Sequence, residues 1–180
     1  MKGVVFNILE GFIDESFGDG TFDEIIDTVF IEEIDPFVGP GTYPDEHLFL
    51  IVQKAVELKK LDLEPILRTF GKYMFFQLAI KYPNFVQHHD NPKDFIKTVH
   101  NVIHVEVKKL FPEAETPKFL YSNDIDGKLT MRYESKRNLF SLAEGLIEGS
   151  GEFYNKPVKV IRKSFSVDEN YCVFDLEFSA

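Results

Sequence analysis

Residues 91–134 read NPKDFIKTVHNVIHVEVKKLFPEAETPKFLYSNDIDGKLTMRYE, and within them the chain changes from one periodicity to another. Ile96, Val99, Ile103, Val107 and Leu110 step by three and four, the spacing of one helix face. Asn91 is placed to cap that helix, Pro92 to occupy its first position and Asp94 to complement its dipole. The helix is expected over about 92–110, with Pro112 as its stop. Beyond it, Lys118–Ser122 and Lys128–Glu134 have strand composition, and Asp126-Gly127 between them is a hairpin turn. A helix followed by a hairpin, with no helix returning between the strands, points to an α+β order rather than βαβ units.

Toward the N-terminus the texture stays helical. Val5, Phe6, Leu9, Phe12, Ile13 and Phe17 recur at helical spacing over 2–17, and Gly18 ends that helix. Thr21 and Glu24 are spaced as a capping box for a second, short helix. Pro36, Gly39, Pro40, Gly41 and Pro44 make 35–44 a loop. Helices follow over 45–60 and about 62–81, with Pro65 in the first turn of the latter and Pro83 as its stop, and 84–91 is a polar loop. Toward the C-terminus, 138–154 returns to helical spacing, and 157–166 and 171–178 alternate like strands around Asp168–Asn170. The sum is a single α+β domain over 1–180. A helical N-terminal lobe, about 1–60, packs directly on a C-terminal lobe, about 61–180, with helices and a roughly four-stranded antiparallel sheet.

A chain of 180 residues buries roughly 70% of its unfolded surface, enough for a core and an enclosed ligand. Nineteen Phe and no Trp suit either a flat apolar cavity or simply a Phe-rich core. A net charge of -10 repels phosphate backbones and argues against nucleic acid, and no Lys/Arg run suits an anionic membrane. The one cysteine, Cys172, excludes an internal disulfide, a Cys-rich zinc site and a covalent haem anchor, and fits a reducing compartment. Glu10, Asp14 and Glu15 interrupt the start, which is therefore read as no signal peptide, and no stretch is apolar for the roughly 20 residues a bilayer span needs. A cytoplasmic location is expected. No triad order, phosphate loop or pair of catalytic carboxylates emerges, and Gly39–Thr42 is too proline-rich for a P-loop and lacks its lysine.

Two constellations carry chemistry. At about 100° per residue, His104 falls roughly 80° from the centre of the apolar stripe of helix 92–110, at its margin. There it suits a partly buried structural histidine, half of a zinc pair with His100, or an axial ligand to haem iron; the spacing alone does not choose. Tyr133, Ser135 and Arg137 would share one face of an extended segment and offer a phenol, a hydroxyl and a guanidinium. They suit a ligand that is apolar in body and carboxylate at its edge, or an exposed polar strand edge.

The start MKGVVFNILE, the run from Ile103 through His104 to Pro112 with Pro117 thirteen residues beyond His104, and Tyr133-x-Ser135-x-Arg137 together resemble the haem nitric oxide/oxygen binding (H-NOX) family over essentially the whole chain. The resemblance implies one non-covalent haem b between the two lobes. His104 would be the proximal iron ligand, Tyr133, Ser135 and Arg137 would hold the propionates, and Pro117 would press on the porphyrin. Val5, Leu9, Met74, Leu78, Leu142 and Leu146 would form the distal side. Oxygen-binding members carry a distal tyrosine where this chain has Leu142, so NO and CO are the expected ligands, unless Tyr73 or another hydroxyl reaches the gas. The resemblance further implies a sensor and not an enzyme. In it NO weakens or breaks the bond between iron and His104, and the signal passes to a separate histidine kinase or cyclic-di-GMP enzyme. A dioxygen sensor of the same family, or a haem enzyme, is the alternative.

Overall fold

Fifteen residues from Gly3 to Phe17 form α1, which buries Phe6, Leu9, Phe12 and Ile13 on one face and stops at Gly18, whose φ of 109° no other residue adopts comfortably. The computed structural model describes residues 1–29 and 37–179, so the first two residues of the expected 35–44 loop lie outside the described residues and 37–44 is non-helical. Helix α2 is Thr21–Ile26, α3 Asp45–Lys59, α4 Leu63–Lys81 and α7 Phe140–Phe153. A short 3-10 turn, Pro83–Phe85, follows α4.

The expected capping box does not form. Thr21 is already the first residue of α2 and caps nothing with its side chain. Gly20, at φ 82°, turns the chain so tightly that the end of α1 lies beside it, and Asp14 Oδ1 accepts the Phe22 N–H at 2.9 Å instead.

The helix expected over 92–110 begins as read: Asn91 Oδ1 accepts the Asp94 N–H at 2.9 Å, with Pro92 at the first position. It is not continuous. Pro92–Thr98 is α5, Val99–Ile103 is a wide π turn, and His104–Leu110 is α6. The extra residue in that turn rotates all that follows by about 100°. Leu110, read as part of the core stripe, is therefore swung outward and is 72% exposed.

Strands β1 (Lys118–Ile125), β2 (Lys128–Glu134), β3 (Val158–Ser166) and β4 (Tyr171–Phe178) form one antiparallel sheet in the order β1-β2-β4-β3. Leu129, Met131, Tyr133, Cys172, Phe174 and Leu176 make its buried face and pack with Phe140, Ala143 and Ile147 of α7. On its other side α7 meets α4 with almost no side chain between the backbones. A Cβ on Gly145 would sit 1.9 Å from the Arg68 carbonyl oxygen, and one on Gly71 would sit 2.3 Å from that of Leu142. The acids of α7 are neutralised where they stand: Glu144 takes Arg162 Nε and Nη2 at 3.0 and 3.2 Å, and Glu148 takes Arg68 Nε at 3.0 Å. Two apolar clusters result. One gathers α1, α2 and α3 with Leu67, Phe70 and Met74 of α4, and the other gathers the sheet, α5 and Phe75 and Ala79 of α4.

Candidate functional site

Several apolar side chains at the clusters stay half-buried. Val5 and Leu78 pack against the first, Val99, Ile103 and Phe119 against the second, and Leu146 against both. His104 opens α6, with its ring 5.5 Å from that of Phe119, which in turn lies 5.8 Å from the ring of Tyr133. Its Nδ1 is 3.1 Å from the carbonyl oxygen of Pro117. A carbonyl can only accept, so Nδ1 carries the proton and Nε2 keeps its lone pair. Among the described residues Nε2 has no hydrogen-bond partner. Burial holds the imidazole down at about 4, against the upward pull of the Pro117 hydrogen bond, so it is neutral at pH 7. The zinc reading finds no support in the geometry. His100 Nδ1 accepts the Phe119 N–H at 3.5 Å, and no group of three potential ligands exists among the described residues.

Pro117 supplies its carbonyl to His104, a contact the sequence did not suggest. The loop before it is tied back to the start of the chain: Lys2 Nζ donates to Glu113 Oε1 at 2.9 Å and to Thr42 Oγ1 at 2.8 Å, and lies 4.1 Å from the centre of the Phe111 ring. Lys2 thereby holds the exposed Glu113 carboxyl down at about 2.

Strand alternation does not arrange Tyr133, Ser135 and Arg137. β2 ends at Glu134, and Ser135–Asn138 is a turn in which the Asn138 N–H donates to the Ser135 carbonyl and Asn138 takes a φ of 50°. The turn, not an extended segment, brings Ser135 and Arg137 together, and the Arg137 N–H donates to Ser135 Oγ at 3.3 Å. Tyr133 is buried, which raises its pKa despite Ser135 and Arg137 nearby. The Arg137 guanidinium, its side chain 12% exposed, donates to the Glu115 carbonyl at 2.6 Å and pairs with Asp45 at 2.6 Å. Asp45 also takes the Met1 ammonium at 2.7 Å. Burial works to raise the Asp45 carboxyl, but the Met1 ammonium and the Arg137 guanidinium outweigh it and hold it low. Asp45, Met1 and Glu115 were not among the residues picked from the sequence. Asp45 follows Pro44 and reads only as a first-turn acid of α3.

The six residues read as the distal wall gather in one cluster. Leu9, Met74 and Leu142 are buried in it, and Val5, Leu78 and Leu146 pack against it. None offers a proton. The Tyr73 hydroxyl donates to Glu15 Oε1 at 2.7 Å. Burial pushes that hydroxyl up to about 12.

The family model for haem-NO-binding proteins matches residues 2–162. The chain is similar to the Fe(II) unliganded H-NOX protein from K. algicida, with a TM-score of 0.91 at 25% identity over 100% of this chain and 97% of that one. It is similar to the H-NOX protein from S. oneidensis in the Fe(II)NO ligation state, with a TM-score of 0.92 at 25% identity over 100% of both chains. The H-NOX from Shewanella woodyi in the Fe(II)CO ligation state gives a TM-score of 0.86 at 29% identity over 100% of this chain and 95% of that one. A search of curated protein sequences gives no match.

Proposed function

The chain belongs to the haem-NO-binding family, and from that premise we propose that it is a sensor of nitric oxide holding one non-covalent haem b through His104. The residues fit that group. A neutral imidazole with Nδ1 occupied leaves Nε2 as an iron ligand, and the hydrogen bond to Pro117 fixes both ring orientation and tautomer. This is the observation that carries the reading. Arg137, Ser135 and Tyr133 supply a guanidinium and two hydroxyls for propionates, and Asp45 keeps the guanidinium aimed. Pro117 stands beside the ligand and is suited to press on the porphyrin.

The haem would be held through His104 and would supply a ferrous iron able to bind NO or CO. The rest is work for the protein. Leu9, Met74 and Leu142 exclude water from the distal side and offer no proton, and bound dioxygen, which gathers negative charge, needs one. The His104 ring is tied to the Pro117 carbonyl, so a movement of that ring reaches the loop 111–117. Lys2 and Glu113 connect that loop to the start of α1. The resulting shift between lobes is the signal, read by a separate cytoplasmic histidine kinase or cyclic-di-GMP enzyme. In this reading the chain catalyses nothing itself. Among the described residues no helix is long and apolar enough to cross a membrane.

Absorption spectra of the reduced protein, alone and with each gas, test the proposal. NO and CO should each shift the Soret band, and air should give no lasting oxy spectrum. A persistent oxy spectrum would make it a dioxygen binder, and substrate turnover in air would make it an enzyme.

A further inference from the structure

The direction in which His104 points is set by the wide turn before it. In Val99–Ile103 the His104 N–H donates to the Val99 carbonyl, five residues back. Uninterrupted α-helical spacing would leave His104 on the flank of the apolar stripe and put Leu110 inside it. With one residue inserted, His104 reaches the Pro117 carbonyl and Leu110 faces solvent. Such a turn is disfavoured on its own, because carbonyls around it lose their regular partners and must be satisfied otherwise.

Here two hydroxyls meet the two carbonyls that stand three and four residues before the turn. Thr98 Oγ1 donates to the Phe95 carbonyl at 2.7 Å, a local contact. The Ile96 carbonyl takes the Val99 N–H and also, at 2.7 Å, the Tyr121 hydroxyl, and that second contact comes from another element. Tyr121 stands on β1, opposite Met131 of β2 in the sheet register, two residues from Phe119. Phe119 packs on His104, and its N–H reaches His100 in the turn itself. The sheet thus touches the turn through Tyr121 and the iron-side imidazole through Phe119.

We infer that Tyr121 is a positioning residue for His104: its hydroxyl, anchored in the sheet, holds the π turn and so sets the register of α6. Register is then imposed by the sheet, not by the propensity of residues 99–110. Burial raises the Tyr121 pKa, so the hydroxyl stays a donor throughout the useful pH range. The inference rests on the reading of His104 as the iron ligand.

The test is Tyr121→Phe, which keeps the ring and removes the donor, with Tyr154→Phe as its control. Tyr154 donates a similar bond in the same apolar cluster, but its acceptor, the Val86 carbonyl at 2.8 Å, is outside the α5–α6 segment. In the haem-free protein, amide hydrogen exchange of residues 100–104 should quicken about fivefold in Tyr121→Phe, the effect of losing one hydrogen bond, and stay unchanged in Tyr154→Phe. In the ferrous haem complex the iron–histidine stretching band should split or shift in Tyr121→Phe only. Deletion of Asn101, which closes the turn to α, should abolish that band. Parent-like exchange and band in Tyr121→Phe, or a retained band after the deletion, would overturn the inference. If the parent itself shows no iron–histidine band, the reading of His104 fails, and the exchange rates of the haem-free chain still decide the part played by Tyr121.

Discussion

Helix α4 and the α5–α6 segment carry the same kind of sequence signature and fold differently. Leu67, Phe70, Met74 and Phe75 keep their spacing through an unbroken helix, Leu63–Lys81. Ile96, Val99, Ile103 and Leu110 keep the same spacing, yet their helix opens at Val99–Ile103. The partners differ. Helix α4 lies backbone to backbone on α7, where Gly71 and Gly145 leave no room for a bulge. The α5–α6 segment lies against a strand whose Tyr121 adds a hydroxyl to the Ile96 carbonyl just before the wide turn. Periodicity says which face is apolar, and the neighbouring element says whether the register holds. The rigid seam carries Leu142, and the adjustable segment carries His104.

Four changes break or sharpen that contrast. Gly145→Ala has the largest expected effect, because its Cβ meets the Arg68 backbone and no rotamer relieves it. A loss of about 3 kcal/mol or more is expected in a denaturant titration. Acid comes next and acts on the other region. Burial holds His104 at about 4 against an ordinary 6.5, so between those pH values the unfolded chain takes up a proton that the folded one refuses. Stability contributed by the neutral imidazole is complete above pH 6.5 and falls by about 3 kcal/mol as pH drops toward 4. Denaturation midpoints of the haem-free protein across that window, with His104→Ala as reference, measure it. Leu142→Tyr is expected to act more mildly on the fold but to place a donor on the distal wall. Dioxygen affinity should rise about tenfold or more, the worth of one good hydrogen bond to a charged group, as read from oxy spectra. Asn101→Ala is the smallest: its side chain is exposed in the π turn, and a change within about 0.5 kcal/mol is expected from the same titration.

Where local chemistry decides, the sequence was legible. The Asn91 cap, the hairpin at Asp126-Gly127 and the stop at Gly18 all follow from residues within a few positions of each other. Where a distant partner decides, it was not. The cap for α2 comes from Asp14 and not from Thr21, the turn before His104 depends on Tyr121, and Arg137 is aimed by Asp45 from α3. The candidate site divides the same way. His104 and the leucines read as distal are candidates from the sequence, while the atoms that orient the imidazole and the guanidinium are not. Ser135 and Arg137 were picked out for the wrong geometry, a strand where the chain turns at Asn138.

The most direct measurement is a comparison of the ferrous haem complexes of the parent and His104→Ala by absorption and resonance Raman spectroscopy, with and without added imidazole. The parent should show an iron–histidine stretching band. The variant should lack it, bind haem weakly, and regain a parent-like spectrum when imidazole is supplied. A variant that takes up haem and gives the parent's band and gas spectra without imidazole would contradict the assignment of His104.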